Sequence, residues 1–250
     1  ALVRGDRPRA VMTVPPPLSW TALLVDAARA TVASGRGVLI AVPERRDAAQ
    51  RLSAFEGAVP ADQVVHLAAE AGPAERYRRF LTVSRGAARI VVGTRSAAFA
   101  PVANLGLVAV WDDGDDLHAE PRAPYPHVRE VLAMRARAGA ALLIAGRIRT
   151  AEGERLVRSG WAAPLVADRA AVRVLAPEVH AAADDVAAGR DPLARAAHLP
   201  SMVLRAVQDG LKQGPVLVQV PRAGYVPVVR CKQCREVATC TQCGGPLRLG

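Results

Sequence analysis

Four carboxylates follow a short apolar run, and they are the residues of this sequence best suited to metal-assisted chemistry. The run is Leu107–Trp111, and the carboxylates are Asp112, Asp113, Asp115 and Asp116. A short run without polar alternation predicts a strand buried on both faces of a parallel sheet. Because such sheets bind ligands beyond the carboxyl ends of their strands, the carboxylates are candidates to hold Mg²⁺. Alternatively, they are solvated or pair with arginines such as Arg147 and Arg149.

The segment between the first predicted strand and its helix, Met12–Trp20, lacks the residues that hold a nucleotide. A phosphate-binding loop reads Gly-x-x-x-x-Gly-Lys-Ser/Thr, whereas this segment has no glycine and carries three consecutive prolines. Prolines remove the amide donors that cradle a phosphate. The only lysines of the chain are Lys212 and Lys232.

The hydroxyl and carboxylate groups around this segment therefore indicate at most a degenerate nucleotide site. Its residues are Thr13, Ser19, Thr21, Asp112 and Asp113. Neither ATP nor Mg²⁺ is expected as a cofactor. Without a triphosphate to act on, the aspartates are better explained as solvated or paired with arginine.

Four cysteines with the spacing C-x₂-C-x₅-C-x₂-C indicate a metal site. They are Cys231, Cys234, Cys240 and Cys243. Each C-x₂-C pair can supply two thiolates to a zinc tetrahedron. Five residues between the pairs is a short separation for one ion, so either a strained four-thiolate site forms or each pair is half of a site whose other ligands lie past Gly250. An iron–sulfur cluster is the alternative metal group.

A polar stretch, Gly93-Thr94-Arg95-Ser96, follows another predicted strand. Amides, hydroxyls and the Arg95 guanidinium at a strand end can bind a nucleic-acid phosphate. His118 and His127 flank the loop after the acidic cluster, but no nucleophile in a recognisable context lies beside either. They are interpreted as solvated or structural histidines.

Strands alternate with helices along most of the chain, which predicts a parallel α/β sheet. Strands are predicted near residues 9–14, 37–42, 63–67, 89–92, 107–111, 141–145 and 215–220. Helices are predicted near residues 20–33, 46–55, 73–84, 127–138, 150–159 and 201–212. The predicted domains are a first lobe over 1–168, a linker or peripheral segment over 169–200, the start of a second lobe over 201–230 and a cysteine-rich segment over 231–250.

The net charge of +10 favours a polyanionic partner, of which nucleic acid is the first choice. Aromatic residues make up only 4% of the chain, so few stacking platforms for single-stranded nucleic acid are expected. Neither a membrane-spanning run nor a signal-peptide core is visible, and the sequence is interpreted as cytoplasmic without a membrane partner.

The order of several motifs resembles the PriA family, the replication restart helicases of bacteria, and most closely its actinobacterial branch. The resemblance covers the whole chain. It is carried by Val42–Glu44, Val92–Ala97 with Phe99 and Pro101, Asn104–Leu107, Tyr125–Arg129, Val218–Tyr225 and the two cysteine pairs.

This resemblance implies two RecA-like lobes with a zinc-binding insertion in the second. In the family, eight cysteines hold two zinc ions, which would place Cys231 and Cys234 in one site and Cys240 and Cys243 in the other. The implied partners are forked or branched DNA, single-stranded DNA-binding protein and other primosome or replicative-helicase proteins.

Three ATPase motifs of the family are altered together in this chain. The phosphate loop falls on Thr13–Thr21, the Asp-Glu-Glu-His motif falls on Trp111–Gly114, and the Gly-Ser-Ala-Thr motif falls on Gly146–Arg149. Loss of one activity explains all three changes. The chain is therefore expected to bind branched DNA and support primosome assembly without ATP hydrolysis or unwinding.

Two other functions remain open at this level. One is an active ATP-dependent 3′–5′ helicase with an atypical nucleotide site, so that enzymatic activity is undecided. The other is a structural zinc scaffold that binds proteins.

Overall fold

The structure is a computed structural model that describes residues 1–43, 55, 59–67, 72–180, 201–219, 229–234, 236–241 and 247. The chain divides into two compact units, Ala1–Pro177 and Glu178–Gly250. The first unit contains the sheet. In the second unit the described elements are one helix and a short hairpin-like segment around the first cysteine pair.

The first unit is built on a seven-stranded sheet in which every strand pairing is parallel. In chain order the strands are β1 (Arg9–Thr13), β2 (Gly37–Ala41), β3 (Val64–Leu67), β4 (Ile90–Gly93), β5 (Leu105–Trp111), β6 (Ala141–Gly146) and β7 (Ala163–Val166). Their spatial order is β3-β4-β2-β5-β6-β1-β7, so that β5 is the central strand.

The helices of the described residues follow the strands as the alternation predicts. They are α1 (Trp20–Ala33), α2 (Pro73–Ser84), α3 (Val128–Arg137), α4 (Ala151–Arg158), α5 (Arg169–Leu175) and α6 (Ser201–Leu211). Short 3₁₀ helices span Leu2–Arg4, Ala61–Gln63, Arg95–Phe99 and Asp116–His118. Within the described parts of the chain, none of these helices combines the length and the apolar character that crossing a bilayer requires.

Two hydrophobic clusters, one on each face of the sheet, form the core of the first unit. On β5, Leu107, Ala109 and Trp111 belong to one cluster, while Val108 and Val110 belong to the other. Both sets are buried, which confirms the prediction of a strand covered on two faces. The alternation is invisible in the sequence because both faces need apolar residues.

Three elements differ from the sequence predictions. Strand β7 and helix α5 were not predicted: β7 is a four-residue edge strand that contains Pro164 and is exposed throughout, so it carries no burial pattern. The strand predicted from Pro215 is wrong for 215–219, where the chain has no regular structure and Leu217 is 91% exposed. The helix predicted over 46–55 lies outside the described residues except for Phe55.

Candidate functional site

The loops that carry the predicted site residues lie at one edge of the sheet. Because the strands are parallel, their carboxyl ends meet at the same edge. The segments 14–19, 94–96, 112–116 and 147–150 leave this edge after β1, β4, β5 and β6. The loops that the sequence singled out therefore share one edge of the sheet, and a ligand site at this edge stays a prediction.

Two stacked tryptophans occupy the centre of this edge. The ring of Trp20, the first residue of α1, lies 4.1 Å from the ring of Trp111, the last residue of β5, and the two planes differ by 3°. Each residue is only 7% exposed. The pair places apolar surface between the loop after β1 and the acidic turn, where a nucleotide site would need polar groups.

The loop after β1 turns carbonyl oxygens towards a cation. The guanidinium of Arg147 donates hydrogen bonds from one nitrogen to the carbonyls of Val14 (3.3 Å), Pro15 (2.5 Å) and Leu18 (3.2 Å). The same guanidinium lies 5.6 Å from the centre of the Trp111 ring. A phosphate-binding loop instead points its amides at an anion. The residues of this loop therefore do not fit a triphosphate.

The hydroxyl groups predicted for a degenerate nucleotide site lie at the end of β1 and in or beside the first turn of α1. Ser19 is the N-cap of the helix, and its Oγ accepts a hydrogen bond of 3.3 Å from the amide of Ala22. Thr21 is buried, while Thr13 ends β1 and is half-buried. The capping role of Ser19 confirms the predicted start of the helix.

Asp113 is a buried residue that pairs with an arginine, in agreement with the interpretation of the carboxylates as solvated or paired with arginine. Its carboxylate accepts hydrogen bonds from Arg129 of α3 (2.9 Å) and from the hydroxyl of Thr150 (2.8 Å). This arginine is neither Arg147 nor Arg149, the two examples that the sequence suggests, and Arg149 pairs with Glu154 instead. Thr150 also caps α4. The buried group thus links β5 to two helices.

The remaining carboxylates of the cluster do not converge on one point. Asp115 caps the 3₁₀ helix Asp116–His118 by accepting a 2.8 Å hydrogen bond from the Leu117 amide, whereas Asp116 is exposed. Asp112 adopts the left-handed conformation, with φ of 54°, which an aspartate tolerates better than most residues. Within the described ranges no group of three or more His, Cys, Asp or Glu residues is placed to hold a metal ion.

His118 and His127 hold the acidic turn in place, in agreement with their structural interpretation. The Nε2 of His118 lies 2.9 Å from the carbonyl of Trp111, so Nε2 carries the proton, and Nδ1 has no hydrogen-bond partner among the described residues. Burial lowers the pKa of His118. The Nδ1 of His127 accepts a 3.1 Å hydrogen bond from the Arg129 amide, and burial followed by the charge of Arg129 lowers the pKa of His127.

Arg95 is tied to its own chain. One of its guanidinium nitrogens donates to the carbonyls of Leu117 (3.1 Å) and Ala119 (2.9 Å), and its Nε lies 3.0 Å from the carboxylate of Glu120. The side chain of Arg95 is still 32% exposed. Nucleic-acid contact by Thr94, Arg95 and Ser96 stays a prediction, and of these three residues Ser96 is the exposed one.

Backbone amides surround the sulfur of Cys231 in the first cysteine pair. Amide hydrogen bonds from Cys234 and Gln233 lower the pKa of the Cys231 thiol. Arg230 and Val237 form an antiparallel bridge across the pair. Cys231 and Cys234 are exposed and Cys240 is half-buried, while Cys243 lies outside the described residues. Because amide donors favour a charged sulfur, the segment from Cys231 to Cys234 suits a metal knuckle.

No protein-family model matches the chain. Individual proteins do match it, and all those named here are PriA proteins. The chain is 51% identical over 252 residues to the probable replication restart protein PriA of Mycobacterium tuberculosis (strain H37Rv), and this match covers 100% of the chain and 38% of that protein. The PriA of Mycobacterium leprae matches at 51% with 39% covered, and that of Deinococcus radiodurans at 28% with 93% of this chain and 26% of that protein covered.

The chain belongs to the PriA family. It spans about two fifths of the length of the mycobacterial PriA proteins that it matches. The family resemblance carried by the sequence motifs is thereby confirmed.

Two solved structures show the fold of this PriA family chain. The Hef helicase domain of Pyrococcus furiosus has a TM-score of 0.50 and 14% identity, covering 72% of this chain and 39% of that one. A DEAD box protein from Methanococcus jannaschii has a TM-score of 0.51 and 16% identity, covering 68% and 47%. These likenesses confirm the predicted RecA-like, helicase-type α/β fold, and at such identities they show the fold alone.

Sequence reasoning missed two residues that define the site. Trp20 was seen only as the start of a helix, and Arg129 only as part of a motif. Two of the three tryptophans of the chain stand at this edge, at the end of β5 and directly after the loop of β1. That position, where a nucleotide site has polar residues, was the available signal for the stack.

Removing the carboxylate of Asp113 should strongly destabilise the protein. In Asp113→Ala the guanidinium of Arg129, which is 8% exposed, loses its buried partner, so we expect the free energy of unfolding to fall by about 3–5 kcal/mol. Urea denaturation measures this change. The matched control is Asp116→Ala, which removes an exposed carboxylate and should change stability by at most about 0.5 kcal/mol. Equal effects of the two substitutions would contradict the structural role.

His118 should make stability depend on pH. Its pKa is lowered in the folded protein from the usual value of 6.5. At a pH below about 6.5 the unfolded chain therefore binds a proton at His118 more readily than the folded chain does. The free energy of unfolding should therefore fall as the pH drops below about 6.5, and His118→Gln should reduce this fall. Urea denaturation at about pH 7.5 and about pH 5.5 measures it. His180→Gln, at an exposed histidine, should retain the full fall; the same slope in both variants would contradict the assignment.

Proposed function

We propose that this chain is part of a replication restart protein that binds forked or branched DNA and supports primosome assembly without hydrolysing ATP. The PriA relatives are named for replication restart, and the helicase-type fold supports a nucleic-acid role. The family's other partners, single-stranded DNA-binding protein and primosome or replicative-helicase proteins, belong to the same proposal. We propose these partners for the whole family protein, and we assign none of them to a particular site of this chain.

The observation that carries the loss of ATP hydrolysis is the contact between Arg147 and the loop after β1. A nucleotide's phosphates would meet carbonyl oxygens there, together with a guanidinium already bound to them. Displacing Arg147 would leave three acceptors facing an anion, which is electrostatically unfavourable. The loop also has no lysine to pair with the β- and γ-phosphates.

The acidic turn after β5 also supports the proposed loss of ATP hydrolysis. A Mg²⁺ site needs carboxylate oxygens that are free to coordinate, but Asp113 is bound to Arg129 and Thr150. Trp111, two positions before Asp113, is an aromatic residue packed against Trp20. An active helicase would therefore need a nucleotide site at another place on the chain.

DNA binding is supported by charge. The chain has 33 basic and 23 acidic residues, and α2 alone carries three arginines against one glutamate. Contacts with phosphates release condensed counterions, so affinity for DNA should fall steeply with salt. A structural zinc scaffold that binds proteins would have no such salt dependence.

The first test of this proposal combines DNA binding with ATP turnover. We expect the chain to bind labelled forked DNA in fluorescence anisotropy, with an affinity that falls by at least about tenfold between 50 and 200 mM salt. We also expect no ATP turnover above background with or without DNA, because Arg147 is bound to the carbonyls of the loop after β1, where a phosphate would have to bind. Turnover that is stimulated by DNA and abolished by Asp112→Ala would contradict the proposal, as would the absence of DNA binding.

Zinc is a second part of this proposal. We assign the Cys231–Cys234 pair to one zinc site and Cys240 with Cys243 to another, each completed by cysteines of the longer family protein. Bound zinc would fix the local chain and would leave no position for catalysis, since closed four-thiolate sites are structural. The amide hydrogen bonds that lower the pKa of Cys231 support its role as a ligand.

Zinc content measured by mass spectrometry tests this assignment in a chain extended to include the whole cysteine-rich segment. We expect two zinc ions per chain, and one ion after either Cys231→Ser or Cys240→Ser, because each substitution opens one site. Lys232→Ala lies between the ligands of one pair and should retain both ions. Loss of both ions on each single substitution would contradict two independent sites.

A further inference from the structure

A groove lined by aromatic rings and an arginine lies beside the carboxyl ends of β3 and β4, away from the loop after β1. We call it the aromatic groove, and define it by Arg76, Tyr77 and Phe80 of α2 with Ser96 and Phe99 of the following 3₁₀ helix. Its volume is about 400 Å³. That volume is within the range of small-ligand sites, so the groove is large enough for one or two nucleobases.

Three exposed rings meet in this groove. Tyr77 is 63% exposed, Phe80 is 46% exposed and Phe99 is 61% exposed. The whole chain has only three phenylalanines and three tyrosines, so half of them line one surface. Tyr77 and Phe80 are three residues apart on α2 and therefore lie on the same face of that helix. Phe99 approaches from a separate element, which gives the groove two aromatic walls.

The charge around the groove is positive. Arg76 is exposed, and its side chain makes no hydrogen bond or ion pair within the described parts of the chain. The acid of the same helix, Glu75, is neutralised by Arg78 (2.6 Å) and Arg79 (2.8 Å). The hydrogen bond from Arg79 lowers the pKa of Glu75, so this carboxylate stays paired. Arg76 is therefore available to an external anion.

Backbone packing fixes the position of the Phe99 wall. A Cβ on Gly93 would lie 2.5 Å from the carbonyl of Leu67 and 2.6 Å from the Cβ of Ala97. Glycine at the end of β4 thus lets the 3₁₀ helix Arg95–Phe99 cross close to the end of β3. Arg135 of α3 donates to the carbonyls of Ala98 (2.7 Å) and Ala100 (2.9 Å) and holds the other side of this helix.

We propose that the aromatic groove binds single-stranded DNA, with bases stacked on Tyr77 and Phe99 and a phosphate paired with Arg76. This inference rests on the proposed DNA-binding function and assigns it a site. Every base presents a π face, so stacking suits a strand of any sequence. The groove's positive charge matches a polyanion, and none of the described residues that line it is acidic. Ser96, which also lines the groove, belongs to the predicted phosphate-binding stretch.

Ring-specific substitutions in the full chain test this site. Tyr77→Leu and Phe99→Leu keep an apolar side chain of similar bulk but remove the stacking surface, and each should weaken binding of a single-stranded oligonucleotide about tenfold. Tyr77→Phe and Phe99→Tyr keep the ring and should bind within about twofold of the unchanged chain. Anisotropy measures the affinity, and the fluorescence quenching of 2-aminopurine in the oligonucleotide reports stacking directly.

The arginine is tested by salt dependence. Arg76→Ala should reduce the slope of log affinity against log salt by about 0.7, the value for one lost phosphate contact with a single strand. Arg173→Ala, at an exposed arginine of α5, is the matched control and should leave the slope unchanged.

Two outcomes separate failure of the site from failure of the function. If the unchanged chain binds single-stranded and forked DNA but both leucine variants bind as tightly with unaltered 2-aminopurine quenching, the aromatic groove is overturned and the proposed function stands. A groove that docks a protein segment would give this result. If the unchanged chain binds no DNA at all, both proposals fail.

Discussion

The contact between the Arg147 guanidinium and the carbonyls of Val14, Pro15 and Leu18 organises the loop after β1 at the carboxyl edge of the sheet. Three prolines shape the loop after β1, and they deprive it of amide donors while leaving its carbonyls in place. A cation satisfies these carbonyls, and the chain supplies that cation from the end of β6. The stacked rings of Trp20 and Trp111 then fill the neighbouring space.

The acidic turn shows how residues of a motor-type fold can serve packing alone. Asp113 joins β5 to α3 through Arg129 and to the cap of α4 through Thr150. The Nε2–H of His118 donates a hydrogen bond to the carbonyl of Trp111, at the start of the same turn. A carboxylate that is committed to a buried guanidinium stabilises the fold because its removal leaves an unpaired charge. The polar groups of this edge thus contact one another and connect the elements of the sheet to its helices.

The sequence predicted the sheet and the edge well because both depend on local patterns. Apolar runs marked β2, β5 and β6, and Ser19 marked the start of α1. Strand β7 escaped prediction because an exposed edge strand with a proline has no pattern of burial. The partners of Asp113 also escaped prediction, since Arg129 comes from a helix that only the tertiary fold brings to the turn. The same holds for the aromatic groove, whose two walls are separated along the chain.

The missing lysine and glycines were visible in the sequence, but their structural consequence was not. Absence of donors explains why a phosphate gains little from this loop. Only the structure shows that Arg147 donates hydrogen bonds to the carbonyls of this loop. A helicase-type fold does not by itself imply ATP hydrolysis, and these features are the grounds on which we propose that this chain lacks it.

The proposal that the loop after β1 binds no nucleotide is tested most directly by isothermal titration of Mg-ATP into the chain, because binding precedes any turnover. The structure predicts no saturable heat up to about 1 mM nucleotide, the upper end of the usual range of enzyme substrate constants. Saturable one-to-one binding in that range, weakened by Asp112→Ala, would show a working nucleotide site at this edge and would contradict the account.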